Sequence, residues 1–310
     1  MKLLFVFLFL LAASTLRAQE EAVVLHTQSG DLYGTITTPE QKNNIPVVLI
    51  IPASGPTDRD GNNPMMKTNT LKMLAEELQK NGIASLRYDK RGAGESKAAG
   101  ANESELLFAD YVNDAREWVN LLKQDRRFSG IIVAGHSEGS QIGMLTAAGN
   151  PDVKKFISLS GPGEPAAAVF RRQMATQPEQ IQKIANPIID KLEKGDTTGN
   201  VHPFLYSVFR PSAQPYLISW FKLDPAETIK QLNIPVLLLQ GNMDIQVVEN
   251  DANLLKAAYP QAEEHIINQM THSLKNCDSR DLMTQMQAYS NLNLPLNPEL
   301  IQYVIGFIKK

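Results

Sequence analysis

Cysteine is almost missing from this sequence, since Cys277 is the only one among 310 residues. A single cysteine can form neither a disulfide within the chain nor a cysteine-based zinc site, so stability must come from packing. A nucleophilic role for Cys277 is one alternative, but we expect a small, partly buried side chain there. The chain also contains no internal repeat and no low-complexity tract.

Neither sign of charge dominates the sequence. The 30 Lys and Arg residues and 33 Asp and Glu residues leave a formal net charge of −3. No basic patch indicates nucleic-acid binding, and no run of like charges stands out. The hydrophobic share of 43% and the charged share of 20% are typical of a globular chain. The length suffices for one large core, and no nucleic-acid partner is expected.

Lys2 precedes the apolar run LLFVFLFLLAA at 3–13, which ends before a short polar segment. A positive start, an apolar stretch and a small residue before a polar segment are typical of a secretory signal, and the run is short for a bilayer span. We predict a signal peptide at 1–18, cleaved after Ala18, and a mature domain at 19–310. The protein would be exported to the periplasm or secreted from a bacterium, without stable membrane insertion; an uncleaved anchor is the alternative.

Strand-like and helix-like segments alternate along the chain. Strands are predicted at 22–28, 32–37, 47–54, 83–89, 131–135, 155–161, 235–241 and 263–268. Helices are predicted at 69–81, about 104–124, 138–149, 248–258 and from Pro298 onward. The first two strands form an antiparallel hairpin, and the rest favour an α/β fold with a mostly parallel sheet covered on both faces.

The alternation fails at about 163–231, where seven prolines stand among many large apolar side chains. We interpret this stretch as short helices inserted between two sheet strands. Because open α/β sheets bind ligands at the carboxyl ends of their strands, we predict a helical cap over that edge. A helical excursion without a function is the alternative.

The segment GHSEG, 135–139, fits the pattern G-x-S-x-G between a predicted strand and a predicted helix. The glycines two positions before and after Ser137 remove side chains that a sharp turn would bring into collision. The helix dipole and the free N–H groups favour negative charge beside this serine. Ser137 is therefore the candidate nucleophile, and an ordinary turn between strand and helix is the alternative.

A serine hydroxyl needs a base, and the base needs an acid that orients it. Among five histidines, His272 follows the last predicted strand at the edge where Ser137 must lie, so it is the candidate base. Asp244 comes three residues after the strand at 235–241 and is the candidate acid, although it could instead close the strand in an Asx turn. The order Ser, Asp, His is the one that this architecture uses. His136 is assigned to packing or to support of the oxyanion loop.

Two N–H donors must stabilise the oxyanion of the reaction intermediate. One is the backbone of Glu138, and the other comes from the loop after the third strand, where Ser54 is the candidate and Ala53 the alternative. The alternation of Asp58, Asp60 and Asn62 resembles a calcium loop only weakly, because Gly61 comes one position early and no glutamate closes the loop. No metal site is predicted.

Residues from about 45 to 310 resemble an α/β-hydrolase. The resemblance is carried by GHSEG, YDKRGAGES at 88–96, QGNMDIQV at 240–247 and THS at 271–273. SGPTDRDGN at 54–62 is similar to the segment after the third strand in small bacterial carboxylesterases of the EstD type, within the wider group related to serine aminopeptidases. Where many relatives carry His-Gly, this chain has Pro52-Ala53. The resemblance implies an α/β-hydrolase fold with neither a metal nor an organic cofactor.

The sequence therefore predicts an exported serine hydrolase that cleaves small to medium acyl esters through an acyl-enzyme. The first alternative is a peptidase on short peptides, in which Glu164, Glu179 or Glu193 of the cap would hold the substrate amine. The second is a binding module that keeps the pocket without the chemistry. Neither the natural substrate nor the oligomeric state can be read from the sequence.

Overall fold

The computed structural model describes residues 19–41 and 43–310. The predicted signal peptide at 1–18 lies outside the described residues. Among the residues described, no helix combines the length and the apolar composition that crossing a bilayer requires.

Eight strands form one sheet. They are β1 (Gln19–Thr27), β2 (Gly30–Thr38), β3 (Ile45–Ile51), β4 (Ala84–Tyr88), β5 (Phe128–His136), β6 (Val153–Leu159), β7 (Val236–Gly241) and β8 (Glu263–Ile267). Their order in the sheet is β1-β2-β4-β3-β5-β6-β7-β8. The hairpin of β1 and β2 pairs in antiparallel fashion, as does β2 with β4, whereas β3 to β8 are parallel. The predicted α/β architecture is confirmed.

Eleven α-helices occur in the described part of the chain. They are α1 (Thr70–Lys80), α2 (Phe108–Gln124), α3 (Glu138–Ala147), α4 (Ala166–Ala175), α5 (Glu179–Glu193), α6 (Tyr206–Phe209), α7 (Gln214–Phe221), α8 (Pro225–Ile229), α9 (Glu249–Ala258), α10 (Leu282–Ser290) and α11 (Pro298–Lys309). The predicted helix at 104–124 begins four residues late, because the side chain of Asp110 accepts from the N–H of Leu107 and starts the helix there. Helix α10 was not predicted.

Alternate residues of the central strands pack on opposite faces of the sheet. Val47, Leu49 and Ile51 of β3 join the core under α2 and α3, which also includes residues of the helices between β6 and β7. Val48 and Ile50 join the core under α1 and α11. Because both faces are buried, the strand reads as a continuous apolar run rather than as an alternating one.

Helices α4 to α8 occupy the chain between β6 and β7, the stretch in which the sequence pattern failed. The aromatic ring of Phe170 packs there against the rings of Trp220 and Phe221, with centroid distances of 5.9 and 5.7 Å. Tyr216 and Trp220 also stand against Phe108 of α2, which ties the inserted helices to the sheet layer. The apolar content of this segment therefore fills a core that it shares with the rest of the domain.

Candidate active site

Ser137 stands between β5 and α3 in a backbone conformation that side chains rarely adopt, with φ 55° and ψ −122°. A methyl group on Gly135 would overlap the carbonyl of Gly139, and one on Gly139 would overlap the main chain of Ile51 and Pro52. The two glycines are therefore required by the close approach of strand, turn and helix. Strain of this kind persists only where the surroundings hold it, and it is common at functional sites.

His272 and Asp244 meet at the carboxyl end of the sheet, as their sequence positions predict. The distance from His272 Nδ1 to Asp244 Oδ2 is 2.8 Å, and both side chains are buried. A carboxylate only accepts, so Nδ1 of His272 carries the hydrogen and Nε2 remains free to accept a proton. This is the tautomer that a general base requires.

Asp244 is surrounded by donors. Its Oδ1 accepts from the N–H groups of Gln246 and Val247 at 2.8 and 3.0 Å, and Oδ2 also receives the Gln240 amide at 3.3 Å. Burial would raise the pKa of this carboxyl, but His272 and the backbone donors outweigh it and lower the pKa. Asp244 thus both closes the strand in a turn and holds His272, so the two roles that the sequence offered as alternatives occur together.

His136 packs against His272, which is one of the two roles that the sequence offered for it, and its support of the oxyanion loop stays a prediction. Its Nε2 donates to the main-chain carbonyl of His272 at 2.8 Å, and the two rings lie 5.0 Å apart. Burial, followed by the neighbouring His272, lowers the pKa of His136 to about 3. His136 is therefore neutral at ordinary pH and fixes the position of the His272 loop.

Within the described chain, the Ser137 hydroxyl makes no hydrogen bond, so its contact with His272 stays a prediction. Catalytic hydrogen bonds are often formed only once substrate is bound. The two residues are joined through His136, the neighbour of Ser137, and its bond to His272.

The candidate oxyanion donors are the N–H groups of Ser54 and Glu138. Neither donates a hydrogen bond to any residue that the structure describes. Glu138 is the first residue of α3, where an N–H has no partner within the helix. The loop after β3 that contains Ser54 lies beside this turn, because Pro52 approaches Gly139.

Lys90 is a site residue that sequence reasoning missed. Its Nζ lies 2.6 Å from Glu138 Oε1 and 3.2 Å from the carbonyl oxygen of Ala53, and its side chain is 2% exposed. The sequence did indicate that Lys90 lies near the site, since Lys90 follows β4 at the carboxyl edge of the sheet, within the segment YDKRGAGES. Sequence reasoning used that segment only as a resemblance and assigned no role to its charges.

Two cavities open near Ser54. The first, of about 290 Å³, lies between the inserted helices and the sheet edge and is lined by apolar and polar side chains, among them Lys90, Glu138, Phe170, Leu217 and Trp220. The second, of about 260 Å³, is lined by both site histidines together with Ala53, Gln246 and Tyr289. Ser54 lines both cavities, so the candidate oxyanion loop separates them.

The three cap carboxylates that a peptidase could use are engaged elsewhere. Glu164 pairs with Arg172, Glu193 pairs with Arg171, and Glu179 pairs with Lys183 at 2.8 Å. None of the three lines either cavity. Within residues 19–41 and 43–310, no cluster of three or more His, Cys, Asp or Glu side chains is arranged to hold a metal ion.

The chain is similar to known hydrolases in sequence. The model of the family described as "Serine aminopeptidase, S33" matches residues 66–202. Esterase EstD from Thermotoga maritima is 29% identical over 233 residues, which cover 72% of this chain and 52% of the relative. The chain thus spans about half the length of that curated relative.

Solved structures agree in fold. Est1E from Butyrivibrio proteoclasticus, a structure with ferulic acid bound, superposes with a TM-score of 0.64 at 17% identity over 93% of this chain and 100% of that one. Esterase Pf2001 from Pyrococcus furiosus gives a TM-score of 0.57 at 16% identity over 94% and 92% of the two chains. The chain therefore has the α/β-hydrolase fold, and its sequence is similar to that of EstD and, over residues 66–202, to the serine aminopeptidase family.

Proposed function

We propose that this protein is a serine esterase that cleaves carboxylic esters with small to medium acyl groups, using Ser137, His272 and Asp244. The observation that carries the proposal is the buried pair of Asp244 and His272, which is joined to the turn that presents Ser137 by the bond from His136 to the His272 carbonyl. A buried carboxylate that orients a histidine next to a strained serine is the arrangement that activates a hydroxyl. The likeness to EstD supports esters as the substrate class.

The two cavities provide places for the two halves of an ester. The leaving alcohol must take a proton from the histidine, so it belongs in the second cavity, which His272 lines. The acyl group then occupies the first cavity, between Phe170, Leu217 and Trp220. Its volume of about 290 Å³ is at the low end for ligand pockets, which favours small to medium acyl groups.

The reaction follows from these positions. Ser137 Oγ attacks the carbonyl carbon while its proton passes to His272 Nε2, and the carbonyl oxygen becomes an anion held by the N–H groups of Ser54 and Glu138. The intermediate collapses to an acyl-serine, and the leaving alkoxide takes the proton from His272. Water then attacks the acyl-serine with His272 as the base, which releases the acid and restores Ser137. Asp244 stabilises the His272 cation throughout.

Variants at Ser137 and His272 test this assignment. Ser137→Ala should abolish hydrolysis of p-nitrophenyl acetate and labelling by a fluorophosphonate probe, and mass spectrometry should find the probe on Ser137 in the wild type. His272→Gln should reduce kcat by at least about 1,000-fold, because the base is lost. The matched control is His265→Gln, since His265 Nε2 also pairs with a carboxylate, Glu263, at 3.0 Å, but away from Ser137. Turnover that survives Ser137→Ala would refute the proposal.

Ester and amide substrates separate the esterase from the peptidase. Each carboxylate of the first cavity has a basic partner, Lys90 for Glu138 and Arg210 for Glu103. The charge of each described carboxylate in this cavity is therefore already balanced, and we expect p-nitrophenyl esters to be cleaved while aminoacyl p-nitroanilides are not. Faster cleavage of the anilides would favour the peptidase. Labelling without turnover of either class would point to an untried substrate, whereas no labelling at all would favour a binding module.

We also propose that the protein is exported through the segment at 1–18. The positive charge and the apolar pattern of this segment support export. Expression of the full chain in a Gram-negative host should give a periplasmic product whose N-terminus, read by mass spectrometry, begins at Gln19. A cytoplasmic product that retains Lys2 would contradict the proposal, and a membrane-bound product with an intact N-terminus would indicate an anchor.

A further inference from the structure

We propose that Lys90 is a positioning residue that orients both N–H donors of the oxyanion hole. The inference rests on the proposed function, because it concerns the same site. Lys90 stands outside the triad, and it touches the neighbours of the reacting atoms rather than the atoms themselves.

Lys90 joins the two halves of the candidate oxyanion hole. Its Nζ bonds to the carbonyl oxygen of Ala53 in the loop after β3 and to the carboxylate of Glu138 at the start of α3. The same ammonium lies 4.6 Å from the centre of the Tyr111 ring, which is its third neighbour in addition to the two oxygen atoms. One buried cation thus spans the two segments whose N–H groups must converge on one oxygen.

The geometry of a peptide group links Ala53 to Ser54. The carbonyl of Ala53 and the N–H of Ser54 belong to the same planar unit, and no cis peptide bond occurs in the described chain. In a trans unit the two groups point in opposite directions. Holding the Ala53 oxygen on Lys90 therefore aims the Ser54 N–H away from Lys90, and the charge of the ammonium polarises that N–H into a stronger donor.

No other described residue donates to the Ala53 carbonyl, so Lys90 supplies the one hydrogen bond in the described structure that holds this oxygen. The next residues of the loop are held separately: the Thr57 hydroxyl donates to the Ser54 carbonyl at 2.9 Å, and the Lys90 N–H donates to the Thr57 carbonyl at 3.3 Å. These bonds place the loop against the end of β4, and neither of them involves the carbonyl of Ala53 or the N–H of Ser54.

Glu138 provides the second link. Its backbone N–H is the other donor, and its side chain is 1% exposed and bonded to Lys90. A buried ion pair costs desolvation energy and often adds no net stability compared with apolar residues of the same size. Stability therefore gives no reason to place this pair beside the nucleophile, whereas the orientation of the two donors does.

The test compares three variants of Lys90 with a lysine elsewhere. Lys90→Met keeps the length of the side chain but removes the bond to Ala53, and Lys90→Met/Glu138→Gln also removes the charge that would be left unpaired. Lys90→Arg keeps a charged donor. The matched control is Lys155→Met, because Lys155 also bonds to main-chain carbonyls, of Phe307 and Ile308, and lies 5.2 Å from an aromatic ring, but at the other end of β6.

Losing one oxyanion donor costs about 100- to 1,000-fold in kcat, and a misaimed donor should cost less. We expect Lys90→Met and the double variant to lose roughly 10- to 100-fold in kcat on p-nitrophenyl esters, with KM changed by less than about 3-fold. Lys90→Arg should retain at least about a tenth of the wild-type kcat. Lys155→Met should have the full wild-type kcat but a lower free energy of unfolding in urea.

An inhibitor pair separates this role from a merely structural one. A trifluoromethyl ketone adds to Ser137 and places an oxyanion in the hole, whereas the matching methyl ketone binds without adding. Ki of the trifluoromethyl ketone should rise in Lys90→Met by the factor that kcat falls, while Ki of the methyl ketone stays nearly constant. Should Lys90→Met fail to fold, the double variant and Lys90→Arg allow the same comparison.

Three results would overturn the inference: a wild-type kcat in Lys90→Met, equal weakening of both ketones, or full recovery of kcat in the double variant. Full recovery would mean that Lys90 only neutralises Glu138. A wild-type protein with neither turnover nor fluorophosphonate labelling would instead reject the proposed function. The two failures are therefore distinguishable.

Discussion

Replacing Asp244 with asparagine removes a charge at nearly constant size and reverses a hydrogen bond. The four partners of Asp244 all donate: the N–H groups of Gln246 and Val247, the Gln240 amide and His272 Nδ1. An asparagine offers one acceptor oxygen and one NH2 donor. If the oxygen keeps the two backbone bonds, the NH2 group faces His272.

The histidine must then accept at Nδ1 and carry its hydrogen on Nε2. In that tautomer Nε2 cannot take the proton of Ser137, and no carboxylate stabilises the cation that would form. We therefore expect Asp244→Asn to lose about 1,000- to 10,000-fold in kcat, equivalent to about 4 to 5.5 kcal/mol in activation free energy. The rate of fluorophosphonate labelling should fall with it, because labelling uses the same activated hydroxyl.

The matched control is Asp251→Asn. Asp251 is as buried as Asp244, and it too accepts from backbone N–H groups, those of Gly163 and Val248, but its charged partner is Arg172. This control should lower the free energy of unfolding in urea and leave kcat per folded molecule unchanged. A kcat for Asp244→Asn within about 10-fold of the wild type would refute the assignment of the acid.

Three further predictions follow from the same geometry. Gly135→Ala should prevent folding or abolish activity, because a methyl group there overlaps Gly139. The control Gly199→Ala should be tolerated, because no atom lies within 4 Å of the added methyl group. Equal stability of the two variants in urea would contradict the close packing of the turn. Burial lowers the pKa of His136 to about 3, so between pH 6.5 and 3 the unfolded chain binds a proton that the folded chain does not. On acidification in this range, the free energy of unfolding of the wild type should fall by up to about 1.4 kcal/mol per pH unit more than that of His136→Gln. Urea unfolding at pH 7, 6 and 5 measures this difference, and an equal loss of stability in the two proteins would refute the prediction. Leu217→Ala should enlarge the first cavity and shift the preferred p-nitrophenyl ester toward longer acyl chains, and an unchanged chain-length profile would contradict the assignment of that cavity to the acyl group.

The strands were predictable because a sheet buried on both faces demands long apolar runs, as at β3 and β7. Helix α10 was missed because its sequence, LMTQMQAYS, is mostly exposed and has a weak apolar stripe. It is held by two hydrogen bonds from one polar side chain, since Gln285 donates to the carbonyls of Met243 and Ser279. Such distant contacts leave no periodic pattern in the sequence.

In the candidate site, too, some residues could be predicted from the sequence and others could not. Positions such as Ser137, Asp244 and His272 could be chosen from sequence because each follows a strand, and parallel strands end at one edge of the sheet. The partners of His136 and Lys90 could not be chosen in this way. His136 bonds to a carbonyl 136 residues away, and Lys90 bonds to carbonyl and carboxylate oxygens 37 and 48 residues away.

The sequence by itself determined the alternation of strands and helices, the glycines that permit a sharp turn around residue 137, and the order of the candidate acid and the candidate base. These features depend on local steric contacts and on the period of the hydrophobic residues, and both can be read from residues that are close together in the sequence. Only the tertiary structure decided which polar atoms meet: the four donors on one carboxylate, the neutral histidine that holds the His272 loop, and the lysine between a peptide carbonyl and a carboxylate. A hydrogen bond needs its two atoms within about 3 Å in a given direction, and only the packed chain brings distant residues that close.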